Sequence, residues 1–141
     1  MNQPLADLGW ALTRFVFGMS LALLHGYDKV FNGKVYSLAG TVAHLGFPFP
    51  LFFAWCASAA EFFGGLFVAF GFLTRPAAAF VSFTMLVALF QHRHDPMGKM
   101  ELALHYLALM VLAMLIGGGK YALDRSLKLR SPFVRKTTLD A

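Results

Sequence analysis

An all-α, polytopic membrane bundle of four helices is the fold this sequence predicts, and three observations predict it. Hydrophobic residues fill 58% of the 141 positions and charged residues only 13%, where a soluble domain carries about 25% charged residues. The mean hydropathy is +0.63, more apolar surface than a water-soluble fold of this size can hide. Four long apolar runs divide the chain, and they lack the period-two alternation of membrane-barrel strands.

The runs lie near residues 8–27, 51–73, 76–91 and 101–117. A helix of about 20 residues crosses a hydrocarbon core of about 30 Å. The first two runs meet that length, and the last two draw on flanking residues, local thinning or protein neighbours. Run one reads as a retained span rather than a cleaved signal. No Lys or Arg precedes Arg14, Asp7 is acidic, and "HGYDKVF" follows with no small-residue cleavage pattern. Residues 1–125 form one membrane domain on this reading, and 126–141 a basic cytoplasmic tail.

The connections are short except for residues 28–50. Pro48 and Pro50 in "GFPFP" cannot lie inside a helix. The preceding "VYSLAGTVAHLGF" is apolar for a solvent loop, which predicts a short interfacial helix or a segment folded into the bundle mouth. Between runs two and three, Thr74 is placed to cap the next helix and Pro76 suits its first turn.

An even number of spans puts both termini on one side. That side carries Arg75, Lys120, Arg125, Lys128, Arg130, Arg135 and Lys136, against Lys29, Lys34, Arg93 and Lys99 on the other. The positive-inside rule then places both termini in the cytoplasm, with the tail on anionic headgroups. A basic tail directly after a span, with no reader motif, argues against nucleic-acid binding. The single cysteine, Cys56, allows no intrachain disulfide and no CxxC pair.

Ionisable groups inside spans are costly, so they face the protein interior and find partners. Arg14 and His25 are eleven residues apart, on one stripe with Gly18 and Leu21, and Lys29 continues nearby. Glu61 shares its face with Ala54, Ala57, Ser58, Gly64, Gly65 and Val68, small residues that let another helix approach. Its depth lies roughly 9 Å from that of Arg14, a gap a long side chain and helix tilt can close. Glu101 and His105 share a helix face, and "QHRHD" brings Gln91, His92 and His94 to the same end of the bundle.

These groups admit two readings each. Arg14 with Glu61 is a structural ion pair, or Glu61 carries protons to a quinone-sized pocket. His92 and His94 are solvated loop-end residues, or they join His25, Glu101 and His105 around a metal ion or haem. Nothing resembles a nucleotide loop, a nucleophile–base set or a zinc protease motif, and no span reads as the broken helix of a secondary transporter. The small-residue faces leave both a monomer and a homo-oligomer open.

The order of motifs supplies a resemblance. "R…G…HGYDK…F", "GFPFP", "AAEFFGGLFVAFGFLTRPAA", a Glu opening the last helix, and "GGGKYALD" together resemble the DoxX family, over about residues 10–125. The motif positions are Arg14, Gly26, Lys29, Pro48, Glu61, Gly64, Gly65, Thr74, Arg75, Glu101 and Asp124. The resemblance implies a four-helix protein of the bacterial inner membrane, related to a subunit of thiosulfate:quinone oxidoreductase, in a family with members in membrane oxidoreductase assemblies. The expected function is therefore a redox-linked subunit that meets a quinone or another small redox-active compound and works with redox enzyme partners. Glu61 and Arg14 are its candidate catalytic residues. His25, Lys29, Glu101 and His105 are candidates to bind the cofactor, and His92 and His94 to bind a metal. A non-catalytic anchor for soluble redox enzymes and a small-molecule or ion permease are the alternatives.

Overall fold

The computed structural model describes residues 3–127. Every regular element among them is helical. Helix α1 (Gln3–Phe31) is followed by α2 (Lys34–His44), α3 (Pro50–Phe70), α4 (Thr74–Gln91), α5 (Met97–Ile116) and the short α6 (Leu123–Ser126). Helices α1, α3, α4 and α5 are long and apolar enough to cross a membrane. They extend the sequence-based bounds mainly at α1, which runs past Tyr27 to Phe31, and at α5, which starts at Met97. Lys128, Arg130, Arg135 and Lys136 of the expected basic tail lie outside the described residues.

The chain inverts the pattern of a soluble protein. Phe15, Val16, Leu24, Phe80, Phe83, Leu104 and Leu115 are exposed, while Arg14, Ser58, Glu61, Thr74 and Ser82 are buried. Lipid solvates the former, and the latter must be satisfied within the bundle. Leu21, Val68, Val81, Met85, Tyr106 and Met110 pack the main core where α1, α3, α4 and α5 meet.

Small residues set the distance between α1 and α3. A Cβ on Gly18 would stand 2.6 Å from the Gly65 carbonyl, and one on Gly26 only 2.5 Å from the Phe62 backbone nitrogen. Both contacts are to backbone, so a side chain forces the helices apart. Gly26→Ala is expected to lose on the order of 1–3 kcal/mol. Gly9→Ala, which meets nothing within 4 Å, is expected to be neutral or slightly stabilising. Thermal denaturation in lipid nanodiscs compares the two, and equal melting points would show that the α1–α3 approach is not tight.

Each of these helices contains a wide turn at the same level. Residues Leu21–Gly26 of α1 and Ala60–Gly64 of α3 are π-helical, and the two turns pack on each other. A π turn holds extra chain per revolution and is frequent at functional sites. Here it turns the residues that follow it away from the positions that a uniform helix would give them.

The long connection forms α2, bounded by Gly33 and Gly46 in left-handed conformation. Its Val35 and Val42 are buried against Ala54 of α3, with Phe47 and Phe53 beside them. The apolar middle of the connection is thus folded onto the bundle.

Candidate functional site

Two polar clusters occupy opposite ends of the bundle. At the end where α6 lies, Arg14 is 2% exposed. Its Nη1 donates to the carbonyls of Val68 (2.9 Å) and Ala69 (2.8 Å), and its Nη2 to that of Tyr121 (3.0 Å). The expected Arg14–Glu61 pair is therefore corrected: Arg14 serves the last turn of α3 and the segment after α5. That turn has carbonyls without helical partners, a natural seat for a cation. The indole of Trp10 donates to Gly117 O at 3.0 Å, and Arg75 donates to Leu115 O at 3.3 Å.

Asp124 completes this clasp. Its carboxylate accepts from Leu73 N at 3.0 Å, and its own N–H donates to Gly71 O at 3.1 Å. The expectation that Thr74 caps α4 is also corrected. Thr74 is the first helical residue, its hydroxyl has no partner, and Asp124 takes up the amide just before it. An anionic group there also suits the positive end of the helix.

At the other end, Glu61 pairs with Lys29, with Nζ 2.5 Å from Oε2. The Glu61 side chain is 6% exposed and that of Lys29 25%. Lys29 follows the π turn of α1 and Glu61 lies within that of α3.

The pair forms the shared wall of two cavities. The larger, about 320 Å³, lies between α2, α3 and α4. Its sides are Leu38, Val42, Phe53, Phe80, Phe83 and Val87, and its polar groups include Thr41, Gln91 and His92. The smaller, about 210 Å³, lies between α1, α4 and α5 and adds His25, Lys99 and Tyr106. His25 meets the Tyr106 ring edge-on at 5.7 Å, and the Tyr106 hydroxyl is 2.8 Å from Ser20 Oγ.

The sequence-derived candidates separate accordingly. Glu61, Lys29, His25 and His92 surround the cavities. Glu101 and His105 do share a face, but it is exposed and lines neither cavity; the His105 Nδ1 is 2.7 Å from the backbone oxygen of Glu101. His94 is exposed. Among the described residues, no three His, Cys, Asp or Glu side chains come together as a metal site would require. His92 is instead tied to Asp95, Nδ1 to Oδ2 at 2.6 Å. That hydrogen bond, followed by the nearby Lys99, holds the Asp95 carboxyl below its usual range.

A family model described as DoxX matches residues 9–94, more than half of the chain. The chain belongs to the DoxX family. No curated protein and no solved structure matches it. The matched segment of this DoxX protein contains Arg14, Lys29, Glu61 and Arg75, and ends before Glu101 and Asp124. Tyr106, Ser20 and Asp95 were not legible as site residues, whereas Gln91, which the sequence sets beside His92 and His94 at one end of the bundle, does line the larger cavity. Asp95 left only a trace, as an acid three positions after a histidine at a helix end.

Proposed function

We propose that this DoxX protein is a redox-linked membrane subunit whose Lys29–Glu61 pair meets the head of a quinone, or of another small redox-active compound, in the larger cavity. The observation that carries this reading is a part-buried ion pair on the wall of a mostly apolar cavity of about 320 Å³. That volume falls at the lower end of small-molecule sites. A flat apolar ring with two carbonyl oxygens fits such a lining. Phe53, Phe80 and Phe83 would contact the ring, and Lys29 and Gln91 carry N–H donors for its oxygens.

The quinone would supply two-electron chemistry, with electrons exchanged with a partner redox enzyme of the assembly. The chain's own task is then protonic. Lys29 keeps donors free beyond the one given to Glu61, and can orient an oxygen. Glu61, released from the ammonium, can give or take one of the two protons that accompany two electrons, and the other is exchanged with water, beside a cavity wall that α2 supplies. We also place the protein in the bacterial inner membrane with cytoplasmic termini, supported by the bias of Lys and Arg toward the terminal side.

Photolabelling tests the ligand. A short-chain photoreactive quinone in nanodiscs is expected to mark peptides from α2, α3 or α4, and unlabelled quinone should compete. The double variant Lys29→Met with Glu61→Leu keeps the volume and removes both charges, and should cut labelling by about tenfold, the equivalent of about 1.4 kcal/mol. Labelling that ignores both competitor and variant rejects the reading. Recruitment of a soluble redox enzyme without any labelling would favour the anchor, and solute flux in liposomes without a partner the permease.

A further inference from the structure

The two cavities differ in chemistry although they share a wall. The larger has mostly apolar sides. The smaller gathers His25, Lys29, Glu61, His92, Lys99 and Tyr106 on a less apolar wall. Lys29, Glu61 and His92 line both. A ligand in the first cavity would seal one side of the ion pair and leave the second side as its contact with the surface.

We infer that the smaller cavity is the proton port of the Lys29–Glu61 pair, and that His92, oriented by Asp95, passes protons between the pair and water at the surface. This rests on the proposed proton exchange at Glu61, but it concerns the route and not the ligand.

His92 stands at the end of α4, half-buried, where the helix gives way to the α4–α5 connection. Its Nδ1 is engaged by Asp95 at 2.6 Å. An ionised Asp95 can only accept, so Nδ1 carries the hydrogen and Nε2 is left to take up and release a second proton. The other groups facing this cavity are less suited. Tyr106 OH is committed to Ser20, and the Lys99 ammonium lies 3.7 Å from Asp95. His25 packs on the Tyr106 ring, inside the wide turn of α1, and is the competing carrier.

The test follows the Lys29 ammonium hydrogens directly. The full chain, labelled with 15N-lysine and held in nanodiscs, is observed by NMR for exchange of these hydrogens with water at fixed pH. His92→Leu is expected to slow exchange at Lys29 by at least about tenfold, within the range of a lost general acid–base group. Asp95→Asn, at a surface position that cannot unfold the bundle core, should slow it by a smaller factor. Exposed Lys34 should not change and serves as the internal control. The port is overturned if His92→Leu and Asp95→Asn exchange as fast as the parent, or if His25→Phe alone abolishes exchange. Quinone photolabelling of the same samples separates the two ideas. Normal labelling with unchanged exchange rejects the port alone, whereas slowed exchange without any labelling keeps the port and rejects the quinone.

Discussion

Glu61→Ala is expected to destabilise the protein by up to about 3 kcal/mol, at or below the low end for stripping one partner from a buried ion pair, because the Lys29 left behind is a quarter exposed. The Lys29 ammonium would remain beside an apolar cavity with its 2.5 Å partner gone. Lys29→Met exposes the opposite fault, a carboxylate that is 6% exposed with no cation. It should cost less, because Glu61 can escape by taking a proton, whereas the ammonium has to be hydrated or lose one. The double variant Lys29→Met with Glu61→Leu should recover most of the loss, since buried pairs replaced together by apolar residues are often neutral. Thermal or denaturant unfolding of the four proteins in one lipid environment forms the cycle. If the single changes simply add in the double variant, the pair is not coupled and its proposed chemical role falls with it. A stable double variant that also fails to bind quinone would show that the charges are kept for chemistry and not for folding.

The sequence made the bundle legible because lipid imposes a strong pattern. Four apolar runs each had to become a helix, since no other open structure satisfies its backbone in hydrocarbon. The inward direction of Glu61 was legible for the same reason. Of the residues predicted on its face, Ala54, Ser58, Gly64, Gly65 and Val68 are buried and Ala57 is half-buried. Its partner was not legible. Stripe arithmetic assumes a constant 100° per residue, and both α1 and α3 depart from it at Leu21–Gly26 and Ala60–Gly64. Glu101 and His105 show a second limit. A spacing of four residues places two side chains together, but it does not say whether their shared face meets the bundle or its surroundings. The α5 face that meets the bundle carries Tyr106, Met110 and Ala113 instead.

The motif positions of the DoxX resemblance also sort themselves in space. Gly26, Lys29, Glu61, Gly64 and Gly65 belong to the paired wide turns and the cavity walls. Arg14, Arg75 and Asp124 belong to the clasp at the terminal end. One sequence pattern therefore encodes two jobs. The cavity end carries the Lys29–Glu61 pair to which the proposed function assigns ligand contact and proton exchange, and the clasp end carries groups bound to backbone.

That division predicts a different phenotype for Arg14. Arg14→Ala removes three hydrogen bonds to carbonyls, each of a kind worth about 1.5–3 kcal/mol when one partner is charged. The sum is an upper bound, because one guanidinium makes all three and a cavity can admit water. The loss should be local first. The segment from Gly117 to Asp124 is held to the bundle by Arg14, Trp10 and Asp124. Hydrogen exchange is therefore expected to rise at the amides of Leu73 and Asp124, which bond to Asp124 Oδ1 and Gly71 O. Arg14→Lys should recover only part of the protection, because an ammonium is a point charge that cannot span the three carbonyls as the planar fork does. The pair at Lys29–Glu61 stands at the far end, so the exchange of its ammonium hydrogens should not change in Arg14→Lys. Exchange that rises equally at both ends would mean that the clasp and the cavity unfold as one unit, and would refute a division of labour between them. Exchange that rises only at the clasp would assign Arg14 to holding the chain together and leave the proposed chemistry to the other end.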